Sequence, residues 1–490
     1  MAAQPDEQLS EPVTERSAAS LALAIRTGEL TATEVVDAHI ALLQRFAPQI
    51  NAIAADRYDA ARGDARAADE RIAAGRQTEL PPLLGVPFTV KETIALRGMP
   101  LTGGVPARRD ERASETAPAV ERVIAAGAIP LGVTNVSELT LWIESDNRLY
   151  GRTSNPYDPT RTAGGSSGGE GAAVGSGGSP FGLASDIAGS IRIPALFCGV
   201  FGHKPSGGLV PNTGLWPPSS GESGRMLGTG ILARRGEDLM PLLELIAGPD
   251  GLDPIAQPIE LGDPATVSLE GLELVTVEDA SVRPIATEMR DARERAVGAL
   301  TAAGASVRRV RLRSWRKATP AFLAALEAGS GNQGAQATLR LLEESGERRP
   351  RWRELLRPGG PHTVPTRITL AAEMLRNGEA AQPSPRLLSV AQDIVSELTD
   401  AVGDGVILHP AHPRVAPKHR RTLGRPWLLT PTSVFNLAAL PVTEVPLGLT
   451  DGGLPVGVQV AAGPDRDHVS IAVALELERV FGGWQPPPTP

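Results

Sequence analysis

The sequence predicts an α/β protein built on a partly parallel sheet. Three observations predict it. Apolar strand-like runs alternate with a helical pattern in LLGVPFTVKE, APAVERVIAAG and AIPLGVT, between residues 83 and 134. A second strand–helix–strand pattern runs from GLELVTVED through a helix over about Ile285 to Ala303 into SVRRVRL. Such alternation is what crossover helices between strands of one sheet produce. At 490 residues, with 41% hydrophobic and 21% charged side chains, the chain can bury a large core as one large domain or two lobes.

Taken in order, residues 1–15 are polar and expected to be loose. From Ser17 to about Phe46 the apolar positions recur at helical spacing, with Thr31 and Glu34 placed as a capping box, so two helices open the fold. DRYDAARGDARAADERIAAG is a third helix whose thin apolar stripe puts it on the surface. After the strands already named, residues 314–390 change to helical segments broken by RRPRWRELLRPGGPHTVP. This stretch reads as a cap in which Trp315, Trp352 and Met374 decide what enters. GVILHP, LPVTEVPLG and GLPVGVQVAA return to strand, and a helix from about Asp467 to Phe481 closes the chain. The organisation expected is 1–70 as N-terminal helices packing on the core and 71–490 as the main domain, with 314–390 a helical substrate-cap insertion.

Composition narrows the function. Aromatics at 3% leave core filling to Ala, Val, Leu and Ile. Acidic residues exceed basic ones by 56 − 48 = 8 and no dense Lys/Arg block appears, so no nucleic-acid partner is expected. Cys198 is the single cysteine, which excludes an internal disulfide and makes the cytoplasm the default compartment. MAAQPDEQLSEPVTER lacks the charged-then-apolar order of an export signal, and no apolar run is long enough to span a membrane. A monomer and a homodimer both remain open.

The chemistry starts from a choice of cation. Only four of the 48 basic residues are lysines, Lys91, Lys204, Lys317 and Lys418, and Lys91 ends the apolar run VPFTV. Lysine, unlike arginine, can be made neutral by burial and then accept a proton. Residues 164–178, GGSSGGEGAAVGSGG, hold eight glycines in fifteen positions. Such a loop could cradle phosphate or serve only close packing, but it lacks both the G-x-x-x-x-G-K-[ST] lysine and a G-x-G-x-x-G. Ser190 follows in SDIAGSIRIPA.

GVPFTVKET, GGSSGGEGAA and DIAGSIRIPALFCGVFGHKPSGG, flanked by LYGRTSNP and FNLAALPVTEVPLG, resemble in order the motifs of the amidase signature family of serine hydrolases. The resemblance covers the chain from about Leu84 to its C-terminus. It implies that family's fold, a large twisted mixed sheet covered by helices on both faces with a variable helical cap. It also implies Ser190 as nucleophile, Ser166 as a bridging serine with a cis peptide bond, and Lys91 as terminal base. The oxyanion hole would be the backbone N–H groups of Ile187, Ala188, Gly189 and Ser190, although most relatives carry glycine where this chain has Ala188. Ser167 would support the loop by hydrogen bonding. Thr140, Leu141 and Trp142 would border the acyl pocket.

Physical chemistry bears on the same assignment. No histidine lies in the motif segments except His203, to which the resemblance gives no catalytic role, so lysine is expected to be the base for Ser190. An ordinary lysine is neutral about one time in 2,500 at pH 7, a penalty of roughly 4.6 kcal/mol that burial must remove. Asp186 and Arg192 bracket Ser190 and read as a structural pair. Lys204 reads as structural, Cys198 as a buried thiol, and His409 with His412, an H-x-x-H broken by prolines, not as a metal site. His203 is unexplained. The expectation is an amidohydrolase without metal or cofactor, acting on small amides or carbamates (urethanes), with esters within reach of the same chemistry. The alternatives are the glutaminase subunit of a tRNA-dependent amidotransferase and an inactive scaffold.

Overall fold

The computed structural model describes residues 11–75, 80–219, 221–278, 284–329, 337–357, 359–375 and 383–490; most of the polar N-terminal tail, 1–10, lies outside the described residues. Helices Ala18–Thr27 and Ala32–Ile50 open the fold. The second begins on the expected capping box, in which Glu34 N–H donates to Thr31 Oγ1 at 3.1 Å and Thr31 N–H to Glu34 Oε2 at 2.8 Å. Helix Tyr58–Ala73 buries only Ala61, Ala65 and Ala68, positions that share one helical face, so it lies on the surface.

The strands are β1 Ile53–Asp56, β2 Pro87–Lys91, β3 Ile129–Thr134, β4 Asp146–Asn147, β5 Gly151–Arg152, β6 Phe181–Asp186, β7 Phe201–Lys204, β8 Gly228–Ala233, β9 Glu273–Val277, β10 Ser306–Val310, β11 Val406–His409, β12 Val442–Leu449 and β13 Pro455–Ala462. Eleven of them form one sheet in the order β1-β3-β2-β6-β8-β7-β12-β13-β11-β9-β10, and β4 pairs with β5 alone. The sheet is mixed. β2 runs parallel to both β3 and β6, and β9 runs parallel to both β10 and β11. The pairs β1–β3, β6–β8, β7–β8, β7–β12, β12–β13 and β11–β13 are antiparallel. Each parallel patch includes a crossover helix, Pro118–Ala125 between β2 and β3 and Thr287–Ala302 between β9 and β10, as the alternation in the sequence requires.

One large apolar cluster joins the opening helices to β2, β3 and β6. A second gathers Trp315, Phe322, Ile394, Phe435 and Val442. Trp315 is fully buried there, its ring edge-on to His409 and Phe435. Helices Ala318–Gly329 and Pro385–Val402 therefore pack into the core. Between them, Ala337–Glu344, Trp352–Leu356 and Val364–Leu375 build a small cluster of their own, with Leu339, Leu342, Leu355 and Leu370 against Val105 and Leu139. Met374 packs on this cluster, while Trp352 is 43% exposed.

Candidate active site

Lys91 is the last residue of β2, a strand buried throughout. Burial pulls its amine down to about 7, against the opposing pull of Asp186, Glu170 and Glu92. Nζ donates to Ser166 Oγ at 2.8 Å, to Ser185 Oγ at 3.0 Å and to the Ser185 carbonyl at 3.2 Å. Those contacts match the three N–H groups of an ammonium. When the amine is neutral one donor is gone and a lone pair faces the cluster, so the Ser166 hydroxyl can donate to it instead.

Ser166 is held by its backbone. The Gly165–Ser166 peptide is cis. The Ser166 carbonyl accepts from Ser137 N–H at 3.2 Å and from the Ser145 hydroxyl at 3.0 Å, and Ser145 Oγ accepts from Gly168 N–H at 2.8 Å. A Cβ at Gly165 would lie 2.6 Å from the Trp142 carbonyl, so here the glycine serves close backbone approach. Ser167 Oγ–H reaches the Ser185 carbonyl at 3.4 Å. Helix Gly168–Gly175 then starts, and its Glu170 accepts from the hydroxyls of Thr89 on β2 and Thr134 on β3. Burial pushes Glu170 up to about 7, partly offset by those hydroxyls and by Lys91.

Ser190 sits on the turn that leaves β6. Asp186 ends that strand, and its carboxylate accepts from Gly189 N–H at 2.7 Å and Ile191 N–H at 3.0 Å. Arg192 meets the same carboxylate twice, Nε to Oδ2 and Nη2 to Oδ1, each at 3.0 Å, with both side chains fully buried. Burial alone would raise the Asp186 pKa; Arg192 and the amide donors outweigh it and hold the carboxyl well below the usual range. Asn436 donates to Asp186 and Gln459 accepts from Arg192, so the pair is satisfied on all sides. Gly189 has φ +114°, and a Cβ there would lie 2.5 Å from Thr432 Oγ1. Ser190 is 7% exposed and its hydroxyl has no hydrogen-bond partner among the described residues.

Of the four amides expected to form an oxyanion hole, one is engaged in this structure. The Gly189 N–H is already committed to Asp186, which leaves the amides of Ile187, Ala188 and Ser190 without partners among the described residues. Ile187 and Ala188 are half-buried, and the Ala188 carbonyl is fixed by the Thr432 hydroxyl at 2.6 Å.

Thr140 follows Leu139 on positive-φ backbone, and Thr140, Leu141 and Trp142 are all half-buried. Trp142 Nε1–H donates to Thr422 Oγ1 at 2.8 Å. Cys198 is buried with its thiol pushed up by burial and its Sγ 3.5 Å from the Ala163 carbonyl. His409 and His412 use Nδ1 on the carbonyls of Pro410 and Arg414, at 2.8 and 2.7 Å, and their rings face Trp315 and Phe197. Lys204, pulled down to about 8 by burial and by Arg192, donates to the Pro205 carbonyl at 2.6 Å. His203 acquires a structural account. Its Nδ1 contacts Thr443 Oγ1 at 2.9 Å and its Nε2 contacts Asp467 Oδ1 at 3.1 Å, tying β7 to β12 and to the start of helix Asp467–Phe481. Ser185, Glu170, Thr432, Asn436 and Gln459 shape this site and are not anticipated from the sequence.

Residues 34–470 match the Amidase family pattern. The chain belongs to the amidase signature family. Fatty-acid amide hydrolase 2-B of Danio rerio is 40% identical over 495 residues, covering 98% of this chain and 92% of that protein. The glutamyl-tRNA(Gln) amidotransferase subunit of Chloroflexus aurantiacus is more distant, 33% identical with 93% of this chain and 95% of that protein covered. Among solved structures, a bacterial aryl acylamidase of the amidase signature family superposes with a TM-score of 0.81 at 25% identity, covering 96% of this chain and 97% of that one. As an amidase signature enzyme, the protein is a hydrolase of C–N bonds in amides. Among the described residues no helix is long and apolar enough to cross a membrane.

Proposed function

We propose that Ser190 is the nucleophile of an amide hydrolase whose base is neutral Lys91, reached through Ser166. The observation that carries this is the 2.8 Å contact between Lys91 Nζ and Ser166 Oγ, with burial pulling the amine to about 7. In the acylation step Ser190 gives its proton to Ser166 as Ser166 gives its own to Lys91, and Ser190 Oγ bonds to the substrate carbonyl carbon. The amides of Ile187, Ala188 and Ser190 hold the oxyanion, where losing one donor costs about 3 to 4 kcal/mol. Collapse breaks the C–N bond, and the Lys91 proton returns through Ser166 to the departing nitrogen. Water, deprotonated along the same path, cleaves the acyl-enzyme and restores Ser190.

The likeness to fatty-acid amide hydrolase 2-B supports amides of apolar acyl chains as substrates. Aryl carbamates fit the same sequence of steps through a carbamoyl-enzyme. The test is intact-protein mass after a fluorophosphonate and, separately, after an aryl carbamate, in wild type, Ser190→Ala and Lys91→Ala. One adduct, lost in Ser190→Ala and slowed in Lys91→Ala, is expected. Labelling that survives Ser190→Ala overturns the nucleophile. Turnover of simple amides with aryl carbamates inert from neutral to alkaline pH removes the carbamate reading. Hydrolysis of acyl amides by the lone chain separates this function from that of an amidotransferase component.

A further inference from the structure

Between Asp404 and Glu444 the chain carries Arg414, Lys418, Arg420, Arg421 and Arg425 and no Asp or Glu, in a protein of net charge −8. The fold gathers three of these arginines around one cavity. Arg414, Arg421 and Arg425 line a space of about 360 Å³ together with His412, Trp427 and Leu428. That volume suits a small molecule. Neither Ser190 nor Lys91 lines it. His412 adds no charge at neutral pH, because burial pulls its pKa down to about 4.

The three guanidinium groups are unpaired. None has a carboxylate or other hydrogen-bond acceptor among the described residues, whereas Arg192, Arg235 and Arg308 each hold one. Guanidinium is the side chain best matched to a planar carboxylate, which it meets with two parallel N–H bonds. Like charges lining one cavity also disfavour one another, and an anion among them removes that cost.

The segment that carries the cavity also contacts elements beside Ser166 and Ser190. Thr162, which accepts from Gly164 N–H, donates its own N–H to the Pro417 carbonyl at 3.0 Å. His412 stacks edge-on at 5.0 Å against Phe197, on the helix that follows Ser190. Thr422 pairs with Trp142, whose carbonyl backs Gly165, and Thr432 fixes Ala188. One segment, 412–432, therefore borders both the cavity and the serine site.

We propose that the cavity is a subsite for a carboxylate borne on the substrate, away from the scissile bond, so that the preferred amides are anionic amphiphiles. This rests on the reading of Ser190 as an amide-hydrolase nucleophile. Arg421 and Arg425 grip the carboxylate, and Trp427 with Leu428 flank the apolar chain beside it.

Two measurements test it, and only the second needs turnover. The first is calorimetric binding of decanoate and of decanol to wild type and to the Arg421→Gln/Arg425→Gln double variant. The exchanged side chains are exposed and lose no ion pair among the described residues, so folding is expected to be intact. Decanoate should bind about tenfold more tightly than decanol, an advantage that shrinks with added salt and vanishes in the double variant. Equal binding of the two, or an advantage that survives in the variant, overturns the subsite. The second is the ratio of kcat/KM for N-decanoyl-4-aminobutyrate to that for N-butyldecanamide, with the matched pair carrying the carboxylate on the acyl end. At least one ratio should exceed about ten and fall towards one in the variant. Decanoate discrimination without turnover or Ser190 labelling would sink the hydrolase reading and leave the subsite standing. Turnover with no charge preference in either pair would do the reverse.

Discussion

The serine site and the three helices within 337–375, read in the sequence as a cap, differ in how deeply each is buried. The side chains of Lys91, Ser166, Asp186 and Arg192 are buried and hydrogen-bonded to protein partners. In the cap, only Leu339, Leu342, Leu355 and Leu370 form the buried cluster with Val105 and Leu139, while Leu356 and Leu375 are 75% and 74% exposed. Proton transfer needs atoms fixed to a fraction of an ångström, whereas admitting a substrate needs only shape and charge. On the proposed mechanism the chemistry rests on residues whose displacement is costly, and a role in selection for the helices of 337–375 would ask less of their packing.

The largest effect expected is on the lysine. Lys91→Arg keeps the charge but removes any neutral form, so kcat/KM should fall about 10³-fold, within the range of lost general base catalysis. On the proposed mechanism the working amine is unprotonated. Activity should therefore be present above about pH 7 and fall tenfold per unit below it, because burial has lowered the amine. Glu170 pulls the other way, so Glu170→Gln should move that limb to lower pH. A limb that stays in place in Glu170→Gln would separate the two groups electrostatically. Next in size is Asp186→Asn, which leaves Arg192 buried and short of its charge partner at a cost of about 3–5 kcal/mol. Thermal unfolding and the rate of Ser190 labelling should fall together. Slower labelling with an unchanged unfolding midpoint would mean that the turn is less firmly tied to the core than its hydrogen bonds imply.

What was legible in the sequence follows the same division. Lys91, Ser166, Ser190 and the Asp186–Arg192 pair stand in compact motif segments, and the parallel patches of the sheet announce themselves through apolar runs around a helical period. Ser185 was hidden because its contact with Lys91 exists only once β6 lies beside β2 in parallel register. β6 itself, FGLASD, carries Gly, Ala and Ser in place of branched residues, and its strand character comes from burial between β2 and β8. Asn436 and Gln459 join Arg192 across 244 and 267 positions of chain, beyond the reach of any local pattern. In the stretch 314–390, helical periodicity shows that a face is apolar but not which partner covers it. Trp315 went to the core, and Leu370 went to the small cluster.

The smallest effect tests a buried polar anchor of these helices. His362 lies between Glu138, with Nδ1 to Oε1 at 2.7 Å, and Glu347, with Nε2 to Oε1 at 3.0 Å. Burial alone would lower its pKa, but the two carboxylates outweigh burial and raise it to about 9. A histidine raised on folding contributes stability that is fully present below its unfolded value of about 6.5 and lost as pH rises through about 9. Amide exchange in 337–375 should therefore quicken between neutral pH and about pH 10, beyond the intrinsic rise in rate, while 181–192 keeps its protection. At neutral pH, His362→Gln should reproduce that loosening, about tenfold in local exchange, and should shift KM more than kcat. If the cap exchanges at the same protection in wild type and His362→Gln, the leucine cluster alone holds it. The contrast between the buried site and these more exposed helices would then rest on apolar packing and not on a titratable clamp.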